Sequence, residues 1–147
     1  MTYARSNAMV SMQPSTVLVV DDEDGPREAL RLVLESQFRV MTADGGAAAL
    51  RTLAQTPIDI VTLDLRMPGM DGFETLRRIH DLDPEIEVVI VSAVPPFEVE
   101  PERSRLGAFD VVRKPFSATE LVATAERAAA HRFARRGETK PTTTLSS

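Results

Sequence analysis

Ile58-Asp59-Ile60-Val61-Thr62-Leu63-Asp64-Leu65-Arg66-Met67-Pro68-Gly69-Met70-Asp71-Gly72 decides the fold. Its first half, Ile58 to Leu63, is apolar and partly β-branched, a short buried strand that stops at one carboxylate, Asp64. Met67-Pro68-Gly69 then forces a turn. A carboxylate at the carboxyl end of a buried strand lies where open α/β sheets place their chemistry, in the crevice outside the strand ends. Asp71-Gly72 opens a helix carrying Phe73, Leu76 and Ile79, which Asp81 to Pro84 ends.

The same alternation extends outward. Upstream, Val17 to Val20 forms a strand that stops at Asp21-Asp22-Glu23, and Gly25 to Glu35 forms a helix with Pro26 in its first turn and Leu30, Val33 and Leu34 on one face. Phe38 to Thr42 is a second strand, and Gly45 to Ala54 an Ala-rich helix with Ala48, Leu50 and Leu53 as its apolar set. Downstream come strands over Glu87 to Ser92 and Phe109 to Val112. A last helix runs from a Ser117 cap, with Glu120 three residues later, to about Arg132, burying Leu121, Val122, Ala125 and Ala129. Strands alternating with helices require crossover connections, hence a parallel, doubly wound α/β sheet.

Composition narrows the classes of function. The 147 residues, 43% hydrophobic and 27% charged, suit one domain with a sizeable core. The domain spans 15–132. Residues 1–14 read as a remnant of recombinant expression, from Ser6-Asn7-Ala8 before Met9, or as a disordered N-terminus, and 133–147 as a disordered tail or the start of a linker. A net charge of -5 argues against direct nucleic-acid binding by this chain. The absence of cysteine excludes disulfides, thiolate metal sites and thiol nucleophiles. No apolar run is long enough to span a membrane, and the cytoplasm is the default compartment.

The polar residues at strand ends carry the chemistry. If the first, third and fifth strands are neighbours, Asp21, Asp22, Asp64 and Lys114 converge, with Ser92 in reach. Taken singly, each has an ordinary reading as a loop or turn residue. Together, each falls at the carboxyl end of a strand. Packed carboxylates repel one another unless protons or a cation sit among them. With all-oxygen ligands the fitting cation is hard and divalent, and Mg2+, which keeps several waters, is the best candidate. An acidic metal pocket with one lysine and one hydroxyl suits a phosphoryl group, and Asp64 is then the nucleophile. His80 and His131 lie on helices without partner ligands and read as surface or edge residues.

Val19-Val20-Asp21-Asp22-Glu23, Leu63-Asp64-Leu65-Arg66-Met67-Pro68-Gly69-Met70-Asp71-Gly72, Ser92-Ala93, Gly107-Ala108-Phe109 and Lys114-Pro115-Phe116 resemble, in order, the receiver domain of bacterial two-component response regulators. The resemblance implies a flavodoxin-like fold of strand order 2-1-3-4-5. It also implies Asp64 as phosphoacceptor, with a sensor histidine kinase or a phosphotransfer protein as donor. For Mg2+ it implies Asp22 as direct ligand, Asp21 mainly through water, and the Arg66 backbone carbonyl as a third protein ligand. Ser92 and Lys114 would contact the phosphoryl group, and the Lys114-Pro115 peptide would be cis. Such a module catalyses only its own phosphorylation and dephosphorylation, and can form homodimers.

The sequence departs from the family at two places. Three residues before Lys114, where the family usually has an aromatic ring, stands Val111. Pro95, Pro96 and Pro101 interrupt the expected fourth helix, and an interior proline costs about 3 kcal/mol. That helix is therefore expected to be short, displaced or partly unwound, and signalling to work by loop ordering around Phe97. The alternative reading is a degenerate receiver acting as a phosphorylation-independent scaffold. A phosphohydrolase is disfavoured, because Arg66, two residues after Asp64, offers no acid/base carboxylate.

Overall fold

The computed structural model describes residues 14–67 and 69–139, with side chains placed through Arg135. The readings made for residues 1–13 and 140–147 lie outside the described residues. Five strands, β1 (Thr16–Val20), β2 (Arg39–Ala43), β3 (Ile60–Leu63), β4 (Glu87–Ser92) and β5 (Asp110–Arg113), alternate with α1 (Asp24–Leu34), α2 (Gly46–Gln55), α3 (Gly72–Leu82), α4 (Pro96–Leu106) and α5 (Ala118–Thr139). The strands form one parallel sheet of order β2-β1-β3-β4-β5, the doubly wound, flavodoxin-like arrangement.

Both faces of the sheet are buried, which is why β1, β3 and β4 read as continuous apolar runs. Leu18, Val20, Val61, Leu63, Val88 and Ile90 pack on one face with Ala49 of α2, Leu76 and Ile79 of α3, and Val99 of α4. Val17, Val19, Ile60, Val89, Val91 and Val112 pack on the other with Leu30 and Leu34 of α1 and Leu121, Ala125 and Ala128 of α5. Alternate residues along each strand thus serve opposite layers. Within the second layer Thr62 is buried, and among the described residues its hydroxyl has no hydrogen-bond partner.

The two predicted caps are present. Asp71 accepts from the Glu74 N–H at 2.9 Å, and Ser117 from the Glu120 N–H at 3.0 Å. Gly72, just inside α3, is required by close approach. A Cβ there would lie 2.4 Å from the Leu65 Cα and 3.0 Å from the Asp64 carbonyl oxygen. Gly72→Ala is expected to destabilise the domain by about 3 kcal/mol, because backbone rather than a yielding side chain stands in the way. Urea unfolding measures it, and an unchanged midpoint would show that the turn after Asp64 is looser than drawn.

Three expectations need correction. Helix α4 is not short or unwound: it runs eleven residues, through Pro101. Pro96 occupies the first turn, where the missing N–H has no partner to lose, and the carbonyl that Pro101 deprives belongs to Phe97, a residue 77% exposed on the surface rather than in the core. Gly107, at φ 80°, closes the helix in a left-handed conformation suited to glycine. The last helix does not end near Arg132 but continues to Thr139. Arg132 is buried, donating to Asp59 at 3.1 Å and to the Glu85 carbonyl at 2.6 Å, while His131 and Arg135 both pair with the buried Glu87. Finally, β3 and β5 are not neighbours, since β4 lies between them.

Candidate functional site

Register brings the polar strand ends together. Val20 pairs with Leu63 across β1 and β3, so Asp21 and Asp64 emerge side by side. Ser92 pairs with Arg113 across β4 and β5, so Lys114 leaves the sheet one residue beyond Ser92. Lys114 crosses the intervening strand with its four-carbon stem: its Nζ lies 2.9 Å from Asp21 Oδ2 and 3.4 Å from Asp64 Oδ2. Carboxylate oxygens of Asp21, Asp22 and Asp64 all fall within 4.8 Å of one another.

Each group is held from several sides. Asp21 is fully buried; its Oδ1 accepts from the Glu23 N–H at 3.0 Å while Oδ2 takes Lys114. Asp64, 7% exposed, accepts from the Arg66 N–H at 3.1 Å through Oδ1 and from Lys114 through Oδ2. Among the described residues the Asp22 carboxylate, half-buried, makes no hydrogen bond. Burial alone would push the Lys114 ammonium down, but its hydrogen bond to Asp21 and the charges of Asp64 and Asp21 outweigh it, holding its pKa above the ordinary lysine value. Among the described residues Lys114 is the one cation bonded to any of these three carboxylates, which leaves an excess of negative charge that a divalent cation fits.

The remaining expected residues lie around this cluster. Ser92 is buried at the end of β4, and its Oγ accepts the Val94 N–H at 3.1 Å, which leaves its hydroxyl proton free to be donated. Arg66 lies in the β3–α3 loop two residues past Asp64, its side chain exposed. Lys114-Pro115 is cis. Val111 is half-buried against the α2–α4 layer.

The histidines stand outside the cluster. His131 is exposed and pairs with Glu87. His80 is half-buried, with Nδ1 3.0 Å from the Leu106 carbonyl and Nε2 3.1 Å from that of Ile86, so it joins the end of α4 to the start of β4. Arg27 was missed in the sequence. Its guanidinium donates to the Asp21 carbonyl at 3.0 Å and to Asp24 Oδ1 at 2.6 Å. The only signal for it was a cation one helical turn after an acidic loop.

A buried aspartate at a strand end, flanked by an acidic pair, a hydroxyl and a lysine on a five-stranded 2-1-3-4-5 sheet, defines a class, and residues 17–126 match the response regulator receiver domain family. The chain belongs to that family, the phosphorelay receivers of two-component systems. It is 37% identical over 121 residues to the DNA-binding transcriptional regulator NtrC of Escherichia coli K12, covering 82% of this chain and 26% of that protein. It is equally similar, 37% over 120 residues, to the C4-dicarboxylate transport transcriptional regulatory protein DctD of Rhizobium meliloti. Among solved structures, the receiver domain of NtrX from Brucella abortus superposes with a TM-score of 0.73 at 33% identity, covering 78% of this chain and 98% of that one. A CheY-like receiver protein from Methanospirillum hungatei shares the fold at a TM-score of 0.79. The chain spans about a quarter of the length of its curated relatives. Among the described residues no helix is long and apolar enough to cross a membrane.

Proposed function

We propose that this domain is a phosphorylation-dependent signalling switch that accepts a phosphoryl group from a histidine kinase or phosphotransfer protein onto Asp64, in the cytoplasm. The observation that carries the reading is the convergence of Asp64 with Asp21, Asp22 and Lys114 within hydrogen-bonding and ion-binding range. The donor set, oxygens alone with excess negative charge, fits Mg2+, with Asp22, Asp21, Asp64 and the Arg66 carbonyl as the groups that would hold it. Bound there, the ion would neutralise charge on the phosphoryl oxygens.

Asp64 supplies the nucleophile. A bond forms from one of its carboxylate oxygens to phosphorus as the bond from phosphorus to the donor imidazole nitrogen breaks, and the electron pair leaves with the imidazole. Lys114, now 3.4 Å from Asp64 Oδ2, shifts to an oxygen of the new acyl phosphate, and the Ser92 hydroxyl donates to another. Acetyl phosphate, with Mg2+, tests the reading by intact mass. One added phosphoryl group is the expected result, and none would leave the scaffold reading in its place.

The two ends of α4 differ in how they are held. At its C-terminus Arg103 donates to the Ala108 carbonyl at 2.9 Å, and His80 holds Leu106. At its N-terminus the N-cap, Pro95, makes no side-chain capping bond, and Phe97 is exposed. With Val111 offering no ring to rotate, the phosphorylated state is reported by ordering of residues 93–99 about this fixed C-terminal end. Hydrogen exchange with a beryllofluoride mimic is expected to slow in 93–99 and to stay unchanged in 103–107. Equal exchange throughout 93–106 in both states would remove the idea.

A further inference from the structure

We infer that Arg27 is the positioning residue of the acidic loop, the side chain that sets how well Asp21 and Asp22 present their oxygens to a divalent cation. The inference rests on the Mg2+-dependent reading of the Asp64 site given above. Helix α1 starts directly after that loop, and its N-cap, Glu23, makes no side-chain capping bond. The start of the helix is therefore fixed by something else. One guanidinium, itself 21% exposed, reaches back across the turn: Nη1 donates to the Asp21 carbonyl at 3.0 Å, and Nη2 to Asp24 Oδ1 at 2.6 Å. The two bonds grip both ends of the segment Asp21–Asp24, with Asp22 between them.

The rest of Asp21 is already committed. Its carboxylate is divided between the Glu23 N–H and Lys114, and its N–H donates to the Ala43 carbonyl at 3.2 Å. With the carbonyl taken by Arg27, every polar group of this residue has a partner, and its direction is set. Asp22, whose carboxylate is free among the described residues, is then held by the backbone on either side. A planar fork can grip two acceptors at once in fixed geometry, which an ammonium on a flexible stem cannot do. The cation has an opposing effect too, since its charge repels an incoming ion. The sign of the effect of substitution therefore reports which of the two matters, geometry or charge.

Outer partners that orient metal ligands are commonly worth 10–100-fold in affinity. Calorimetric titration with MgCl2 of wild type, Arg27→Ala, Arg27→Lys and Asp24→Asn, with thermal unfolding of each, tests the inference. Arg27→Ala and Arg27→Lys are both expected to weaken Mg2+ binding on the order of 10-fold. Their Mg2+ requirement for reaction with acetyl phosphate should rise in step, while the rate at saturating Mg2+ stays near wild type. Asp24→Asn, altering a side chain that is 94% exposed, keeps the fold and should weaken binding less. Wild-type affinity in Arg27→Lys would show that the two-acceptor grip of the planar fork is not needed and overturn the inference. So would tighter binding in Arg27→Ala, or a lowered melting temperature with Mg2+ affinity unchanged. If the arginine variants fail to fold, unchanged affinity in Asp24→Asn overturns it. Unchanged variants beside a wild type that binds Mg2+ leave the proposed function standing; a wild type that binds none removes both.

Discussion

Asp64→Asn is expected to gain no mass on incubation with acetyl phosphate and Mg2+, where the wild-type chain gains one phosphoryl group. The substitution is close to isosteric. Its amide oxygen can still accept the Arg66 N–H that Asp64 Oδ1 accepts at 3.1 Å, so the β3–α3 loop keeps its anchor. What is lost is nucleophilicity and one of three clustered charges. Removing the group that forms the covalent intermediate commonly costs on the order of 10^4-fold or more in rate, which on the time of such an assay is complete loss. Because the fewer charges repel less, the metal-free fold should not be weakened, and unfolding in urea separates that outcome from simple misfolding. An equal mass gain in the variant would move the acceptor to another carboxylate, with Asp21 and Asp22 the first to examine.

The parts of this site that were legible in the sequence are those dictated by the sheet itself. Strands buried on both faces leave runs such as Val17 to Val20 and Val88 to Val91, and the first polar residue after each run must stand at the sheet's edge. Asp21, Asp64 and Ser92 could therefore be gathered before any contact was known, whereas Lys114, the second polar residue after its apolar run, is picked out only by its place in the Lys114-Pro115-Phe116 motif. What stayed hidden depends on partners far away in the chain. The continuation of α5 is held by Arg132 reaching Asp59 and Arg135 reaching Glu87, pairings that no local pattern announces. The intact α4 is not legible because a proline in the sequence does not tell whether the N–H it lacks would have had a buried partner. At Pro96 there is no bond to lose, and Pro101 deprives a carbonyl of Phe97, an exposed residue, rather than one in the core. Arg27 was passed over for a related reason: its importance lies in a backbone carbonyl, and the sequence names only side chains.

Lys114→Ala is expected to separate metal binding from phosphoryl transfer. In the metal-free protein Lys114 is, among the described residues, the one cation bonded to the carboxylates of Asp21 and Asp64, and Asp21 is fully buried. Removing it leaves a buried carboxylate without its charged partner and should destabilise the metal-free domain by about 3 kcal/mol. The same removal takes away a competitor for the site, so Mg2+ should bind more tightly and restore much of the lost melting temperature. Transfer should not be restored. A positioned cation that meets charge developing on the transferred group is commonly worth about 100- to 1000-fold, and the ion cannot occupy both its own place and the lysine's. In the wild type the folded-state pKa of Lys114 is raised, so its contribution to stability is complete below the unfolded value of about 10.5 and is lost only as pH rises through the higher folded value. Between about pH 6 and 9 the lysine stays charged, and a change of transfer rate across that range does not arise from its titration. The expected result in Lys114→Ala is thus a fold rescued by Mg2+ together with a reaction that is not. Recovery of transfer at saturating Mg2+ would show that the lysine serves only to offset the charge of the carboxylates.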